Sequence, residues 1–191
     1  MGFPREPSPV KLFVALLCND SALVAPVERN LAGLFEAVDA ASELRPWNVT
    51  DYYTAEMGAG LWRKFVSFES LVEPSRLAEI KLCTQELETK YRWRSGDREG
   101  RRVNLDPGYL EASKIVLAST KNAAHRVYLK AGIYGEAALQ FQRGAFEAFP
   151  YTYPDYRWPE TLCFFRALRS RYLEQLRAAR PDAGWLIDAR R

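Results

Sequence analysis

Val10-Lys11-Leu12-Phe13-Val14-Ala15-Leu16-Leu17-Cys18 reads as one apolar run of strand length. A strand without strict alternation is covered on both faces, so this run predicts a central strand with layers packed above and below it. Asn19-Asp20-Ser21 follows with turn and N-cap chemistry, after which Leu23, Val27, Leu31 and Leu34 repeat at helical spacing to about Phe35.

The same reading extends along the chain. Strands are predicted near 43–49 and 62–68, separated by the Thr50-Asp51-Tyr52-Tyr53 segment and a flexible Met57-Gly58-Ala59-Gly60 stretch. Glu73-Pro74-Ser75 opens a second helix whose apolar stripe is Leu77, Ile80, Thr84, Leu87 and Tyr91. The stretch 92–102 carries five arginines with Gly96 and Gly100 and no apolar period, which predicts an exposed, mobile loop. A strand from Val103 to Leu105 is expected to break at the turn tripeptide Asp106-Pro107-Gly108, and a third helix to run from Tyr109 to Ser119. Strands at 125–129, 133–142 and 145–148 follow, the last two as a hairpin. A long helix marked by Leu162, Phe165, Leu168, Tyr172 and Leu176 ends near Pro181. The order β-α-β-β-α-β is that of a split βαβ (ferredoxin-like) unit. The expected fold class is α+β, with a mainly antiparallel sheet extended by the hairpin and the long C-terminal helix. One domain is expected over 10–180, with flexible termini at 1–9 and 181–191.

Composition narrows the class further. The 191 residues are 48% apolar and 27% charged, which is ordinary globular usage and not that of a disordered chain. Cys18, Cys83 and Cys163 are odd in number and lack zinc or disulfide spacing, so they read as buried thiols of a reducing, cytoplasmic compartment. No stretch has the length or apolarity of a signal or membrane span. Net charge is +3, and six arginines between Arg157 and Arg180 face only Glu160 and Glu174, so a basic helix is expected there.

Four polar clusters interrupt the apolar elements: Asp51-Tyr52-Tyr53 with Glu56, Asn104 to Tyr109, Thr120 to Tyr128, and Tyr153 to Arg157. Each lies at an expected strand end or turn, where a rigid sheet presents binding groups, and the four are expected to converge. His125 is the one histidine, so it and Asp106 are the candidate proton-transfer groups. Asp51, Asp106 and Asp155 are the candidate ligands of a divalent Mg or Mn ion. Lys121, Arg126 and Arg157 would hold an anion, while Tyr52, Tyr53, Tyr109, Tyr128, Tyr153 and Tyr156 would stack on or shape the ligand, with Glu56, Asn104 and Glu136 among the polar lining. The plain alternatives are that Asp51 and Asp106 serve turns and that Arg126 pairs with Asp106 or Glu136 across the sheet.

The segments DYYTAEMG, FVSFE, IKLCTQELE, RVNLDPGYL, KIVLASTKNAAHRVYLKAGIYGE and YTYPDYR, in this order, resemble a bacterial domain-of-unknown-function family, number 4416, from about Lys11 to Tyr172. Members sometimes carry a GTP-binding label, so the resemblance implies a nucleotide ligand but no mechanism. The chain itself has no GxxxxGK[ST] phosphate loop and no NKxD-like guanine-reading segment, which excludes a P-loop GTPase. Two functions are therefore expected in contest. One is binding or processing of a small anionic, phosphorylated or nucleotide-like compound. The other is a non-catalytic interaction protein whose basic C-terminal helix and Arg-rich loop meet an acidic protein or nucleic acid.

Overall fold

A computed structural model describes residues 3–179. The expected helix end near Pro181 and the C-terminal tail lie outside the described residues. The strands are β1 (Val10–Cys18), β2 (Val38–Ala41), β3 (Arg45–Trp47), β4 (Leu61–Val72), β5 (Arg92–Ser95), β6 (Arg98–Arg101), β7 (Val103–Leu110), β8 (Lys114–Ser119), β9 (Val127–Lys130), β10 (Ile133–Gln142) and β11 (Ala145–Ala148). The helices are α1 (Val24–Phe35), the single turn α2 (Thr54–Met57), α3 (Leu77–Thr89) and α4 (Pro159–Ala179).

Nine strands form one sheet of order β11-β10-β8-β7-β1-β4-β2, with β3 beside β4 and β9 beside β10. Its pairings are antiparallel. The stretch β7-β1-β4-β2, with α1 joining β1 to β2 and α3 joining β4 to β7, is the split βαβ unit that the element order predicts. The protein is thus α+β, with β8, β10 and β11 extending the unit from the β7 edge.

Strand β1 is buried along its whole length because both of its faces are roofed. Leu12, Val14, Leu16 and Cys18 pack against Val27 and Leu31 of α1 and Ile80 and Leu87 of α3. Phe13 and Ala15 point the other way, into Phe165, Leu168 and Tyr172 of α4. Each fully buried Leu or Phe contributes about 1.5–3 kcal/mol, so these two layers dominate the stability.

Four sequence expectations are corrected. The stretch 92–102 is not a loop but the hairpin β5-β6, and Gly100 is required there because a Cβ would lie 2.3 Å from the Glu56 carbonyl. The expected helix at 109–119 is the end of β7, a turn at 111–113 and β8, whose Ile115 and Val116 are β-branched. Asp106-Pro107-Gly108 is not a turn but lies within β7, opposite Ala15, Val14 and Phe13. Gly108 fits there because a Cβ would meet the Phe13 ring at 2.6 Å, so packing overrides the local turn preference. Finally, only Cys18 is a buried thiol; Cys83 and Cys163 are exposed. No helix among the described residues is long and apolar enough to cross a membrane.

Candidate functional site

The site arises where the sheet opens. Pairing of β7 with β8 runs only from Gly108–Leu117 to Leu110–Ile115, while β7 begins at Val103 and β8 continues to Ser119. The two strands therefore fork, and a cavity of about 260 Å³ fills the gap. At the fork the free edge of β7 needs other partners. Leu105 donates its N–H to Glu88 Oε1 at 2.7 Å and its carbonyl accepts from Lys81 Nζ at 2.8 Å, both side chains coming from α3. Pro107, two residues along, presents the same edge and has no N–H to satisfy.

The wall beside β7 is a closed ionic network. Lys81 Nζ also donates to Asp106 Oδ1 at 2.9 Å, and Asn104 Nδ2 to Asp106 Oδ2 at 2.6 Å. Arg101 grips Glu56 with a fork of 2.6 and 2.8 Å and donates from Nη1 to Asn104 at 2.7 Å and to Glu88 at 3.2 Å. Burial would push the Asp106 carboxyl up, but Lys81 and Asn104 outweigh it and hold the group below its ordinary range. Glu88 goes the other way, because burial raises it more than Lys81 and the Leu105 N–H lower it.

The opposite wall is held by Glu136 of β10. It accepts from Arg126 Nε at 3.0 Å, His125 Nε2 lies 2.7 Å from the same carboxylate oxygen, and Arg126 Nη2 donates onward to the Tyr153 hydroxyl at 2.7 Å. The His125 ring stacks on Tyr151 with centroids 4.1 Å apart. Across the mouth, the Lys121 ammonium meets the Tyr52 hydroxyl and lies 4.2 Å from the centre of that ring.

The floor differs from both walls. Arg63 of β4 is 6% exposed and its Nε lies 2.8 Å from Asp155 Oδ2, yet the approach is too poorly aligned to complete a hydrogen bond. Arg63 Nη1, the Trp47 Nε1 and the Tyr156 hydroxyl also find no partner among the described residues. Burial opposes the Arg63 charge, but Asp155 and the surrounding phenols outweigh it and raise the group further. Burial likewise pushes the Tyr53, Tyr153 and Tyr156 phenols up, which keeps them as O–H donors at neutral pH.

All four polar clusters send residues to this cavity. Tyr52, Tyr53, Asn104, Asp106, Lys121, Tyr153, Asp155 and Tyr156 line it, as does Glu136. Glu56, Arg126 and His125 stand behind that lining, Glu56 bonded to Arg101, Arg126 bonded to Glu136 and Tyr153, and His125 Nε2 beside the Glu136 carboxylate. Arg126 thus makes the Glu136 pairing that was one of its two plain alternatives. Tyr109 packs beside Leu77 and Ala78 of α3, and Tyr128 is exposed against Tyr134. Arg157 donates to the carbonyls of Phe149, Pro150 and Thr152, away from the cavity lining. The Asp51 side chain lies outside the described residues. Among the described residues no three His, Cys, Asp or Glu side chains gather to hold a metal, and Asp106 and Asp155 each face a cation.

Sequence reasoning missed Trp47, Arg63, Lys81, Glu88 and Arg101. Lys81 and Glu88 had a signal: they are two helical turns apart on the buried stripe of α3, where an unpaired charge is not tolerated. Arg101 was hidden in the supposed loop. Of the arginines on which the partner-binding alternative rests, Arg92 and Arg94 pair with Glu99, and Arg169 bonds the Ala112 carbonyl.

Fold and site together define an antiparallel α+β protein with a polar, aromatic cleft at a strand fork. The sequence profile of DUF4416, a domain of unknown function, matches residues 8–172, and the chain belongs to that family. Among curated proteins and solved structures no match to the chain was found.

Proposed function

We propose that the cleft binds a small anionic molecule with a planar body, of phosphorylated or nucleotide-like chemistry. One observation carries this reading. Of the seven buried side-chain nitrogen and oxygen atoms without a hydrogen-bond partner among the described residues, five belong to Trp47, Arg63, Asp155 and Tyr156, which all line this cavity; Arg63 Nε and Asp155 Oδ2 face each other, which leaves Trp47 Nε1, Arg63 Nη1 and the Tyr156 hydroxyl unanswered. A buried polar group left unpaired costs about 1–3 kcal/mol, so such a concentration calls for an external partner. The aromatic rings beside those atoms suit a flat ligand, and Lys121 at the mouth suits a negative charge. Asp106, partly exposed in the wall and held ionised by Lys81 and Asn104, offers such a ligand a fixed hydrogen-bond acceptor.

The test is a thermal-shift screen against inorganic phosphate, sugar phosphates, nucleotides and divalent ions, with and without EDTA. A ligand at about 100 times its Kd adds roughly 2.7 kcal/mol, a shift of several degrees. At least one anion is expected to give such a shift, and the double variant Arg63→Met with Asp155→Asn is expected to lose it while keeping its circular-dichroism spectrum. A flat screen, or a shift untouched by that variant, overturns the reading.

A further inference from the structure

Charge balance inside the cleft fixes which end of a ligand enters first. The carboxylates of the floor and walls already face cations: Asp155 faces Arg63, Asp106 faces Lys81, Glu136 faces Arg126, and Glu88 shares Arg101 with Glu56. An anionic group pushed to the floor would add negative charge to an interior whose cations are already engaged by carboxylates, and desolvating it there is costly. Lys121 is different. It lines the mouth, has no carboxylate partner among the described residues, and gives one of its three ammonium protons to Tyr52.

The floor asks for something else. Trp47 Nε1 and Arg63 Nη1 are donors only, and Tyr156 offers a hydroxyl. Three donors in a pocket whose cations are already engaged by carboxylates are complemented by uncharged acceptors. The wall between floor and mouth is a run of rings in edge contact, Trp47 to Tyr53 at 5.5 Å and Tyr53 to Tyr52 at 5.0 Å, and Tyr52 carries Lys121. An aromatic path of this kind guides a planar ring.

Resting on the reading above, we propose that the ligand binds head-in: an uncharged, carbonyl-bearing planar ring on the Trp47, Arg63 and Tyr156 donors, with its anionic group held at the mouth by Lys121.

Calorimetric titration of the full chain with uridine monophosphate, uridine and ribose phosphate tests this, using wild type and Lys121→Gln. In wild type, uridine monophosphate is expected to bind about tenfold more tightly than uridine, as one charge-assisted contact provides, and ribose phosphate not measurably. In Lys121→Gln the tenfold advantage should vanish while uridine binds as before. Ribose phosphate binding as tightly as uridine monophosphate overturns the head-in orientation, and so does a Lys121→Gln variant that weakens both uridine compounds equally. If none of the three binds while another anion of the screen does, the orientation fails and the cleft reading stands. If the whole screen is silent, both fall.

Discussion

Two buried ion pairs lie on the α4 side of the same sheet, and they are built to opposite standards. Lys11 is 0% exposed, and its three ammonium protons reach Asp39 at 2.6 Å, Gln175 at 2.9 Å and the Glu69 carbonyl at 3.3 Å. Asp39 in turn accepts from Ser67 at 2.6 Å. Arg63 and Asp155 are as deeply buried, yet their contact is misaligned and donors around it go unanswered. A buried charge with every proton placed is scaffold. One with protons to spare, beside a cavity, marks where the molecule meets something else.

The sharpest way to break this comparison is to remove one partner of the closed pair. Lys11→Ala should cost about 3–5 kcal/mol in denaturant unfolding, because it empties a fully buried site and leaves Asp39 with only Ser67 and the more distant, half-exposed Arg171 at 3.7 Å. A loss below about 1 kcal/mol would mean that Lys11 is no more structural than an exposed lysine. Removing both partners separates the pairs further. Arg63→Met with Asp155→Asn should leave stability within about 1 kcal/mol of wild type or raise it, since little hydrogen bonding is lost. Lys11→Met with Asp39→Asn should cost about 1–3 kcal/mol, because Gln175 Oε1 loses its donor and Ser67 exchanges a charged acceptor for a neutral one, while the Glu69 carbonyl keeps Gln175 Nε2. Equal costs for the two double variants would erase the distinction.

The smallest effects are in pH dependence. Burial would raise the Asp39 carboxyl, but Lys11 and Ser67 prevail and hold it low. Its stabilisation is therefore present above the ordinary carboxylate value of about 4 and is lost as pH falls through the lowered one. Glu88 in the cleft wall is raised by burial, so its contribution has the opposite sign: it is present below about 4 and is lost as pH rises through the raised value. Stability measured against pH should show Asp39→Asn flattening the acid limb and Glu88→Gln flattening the limb toward neutrality. The same direction of change in both variants would contradict these assignments.

Much of the architecture was legible because it follows from periodicity. The unalternating run at Val10–Cys18 announced a doubly covered strand, and the polar clusters at 51–56, 104–109, 120–128 and 153–157 announced residues that share one cavity. What stayed hidden depends on contacts distant in sequence. Asp106-Pro107-Gly108 carries a turn's chemistry, but Phe13 packs over Gly108 and β1 pairs along the segment, so it extends. The arginines of 92–102 look solvated until Glu56 and Glu88 are brought to Arg101. Nothing local marks Arg63 as buried, because the carboxylate that balances it, Asp155, lies far along the chain.

Pro107 gives the fork a further meaning. A sheet is a zipper, and where β7 and β8 diverge each strand holds backbone groups that would bond if the strands closed. At Pro107 one tooth of that zipper is missing, and Lys81 and Glu88 occupy the groups of the tooth before it. Closure would have to displace two side chains and would gain no N–H bond from the proline. The opening is thus a stop written into the backbone, and the cleft stays open because its edges have little to gain by meeting.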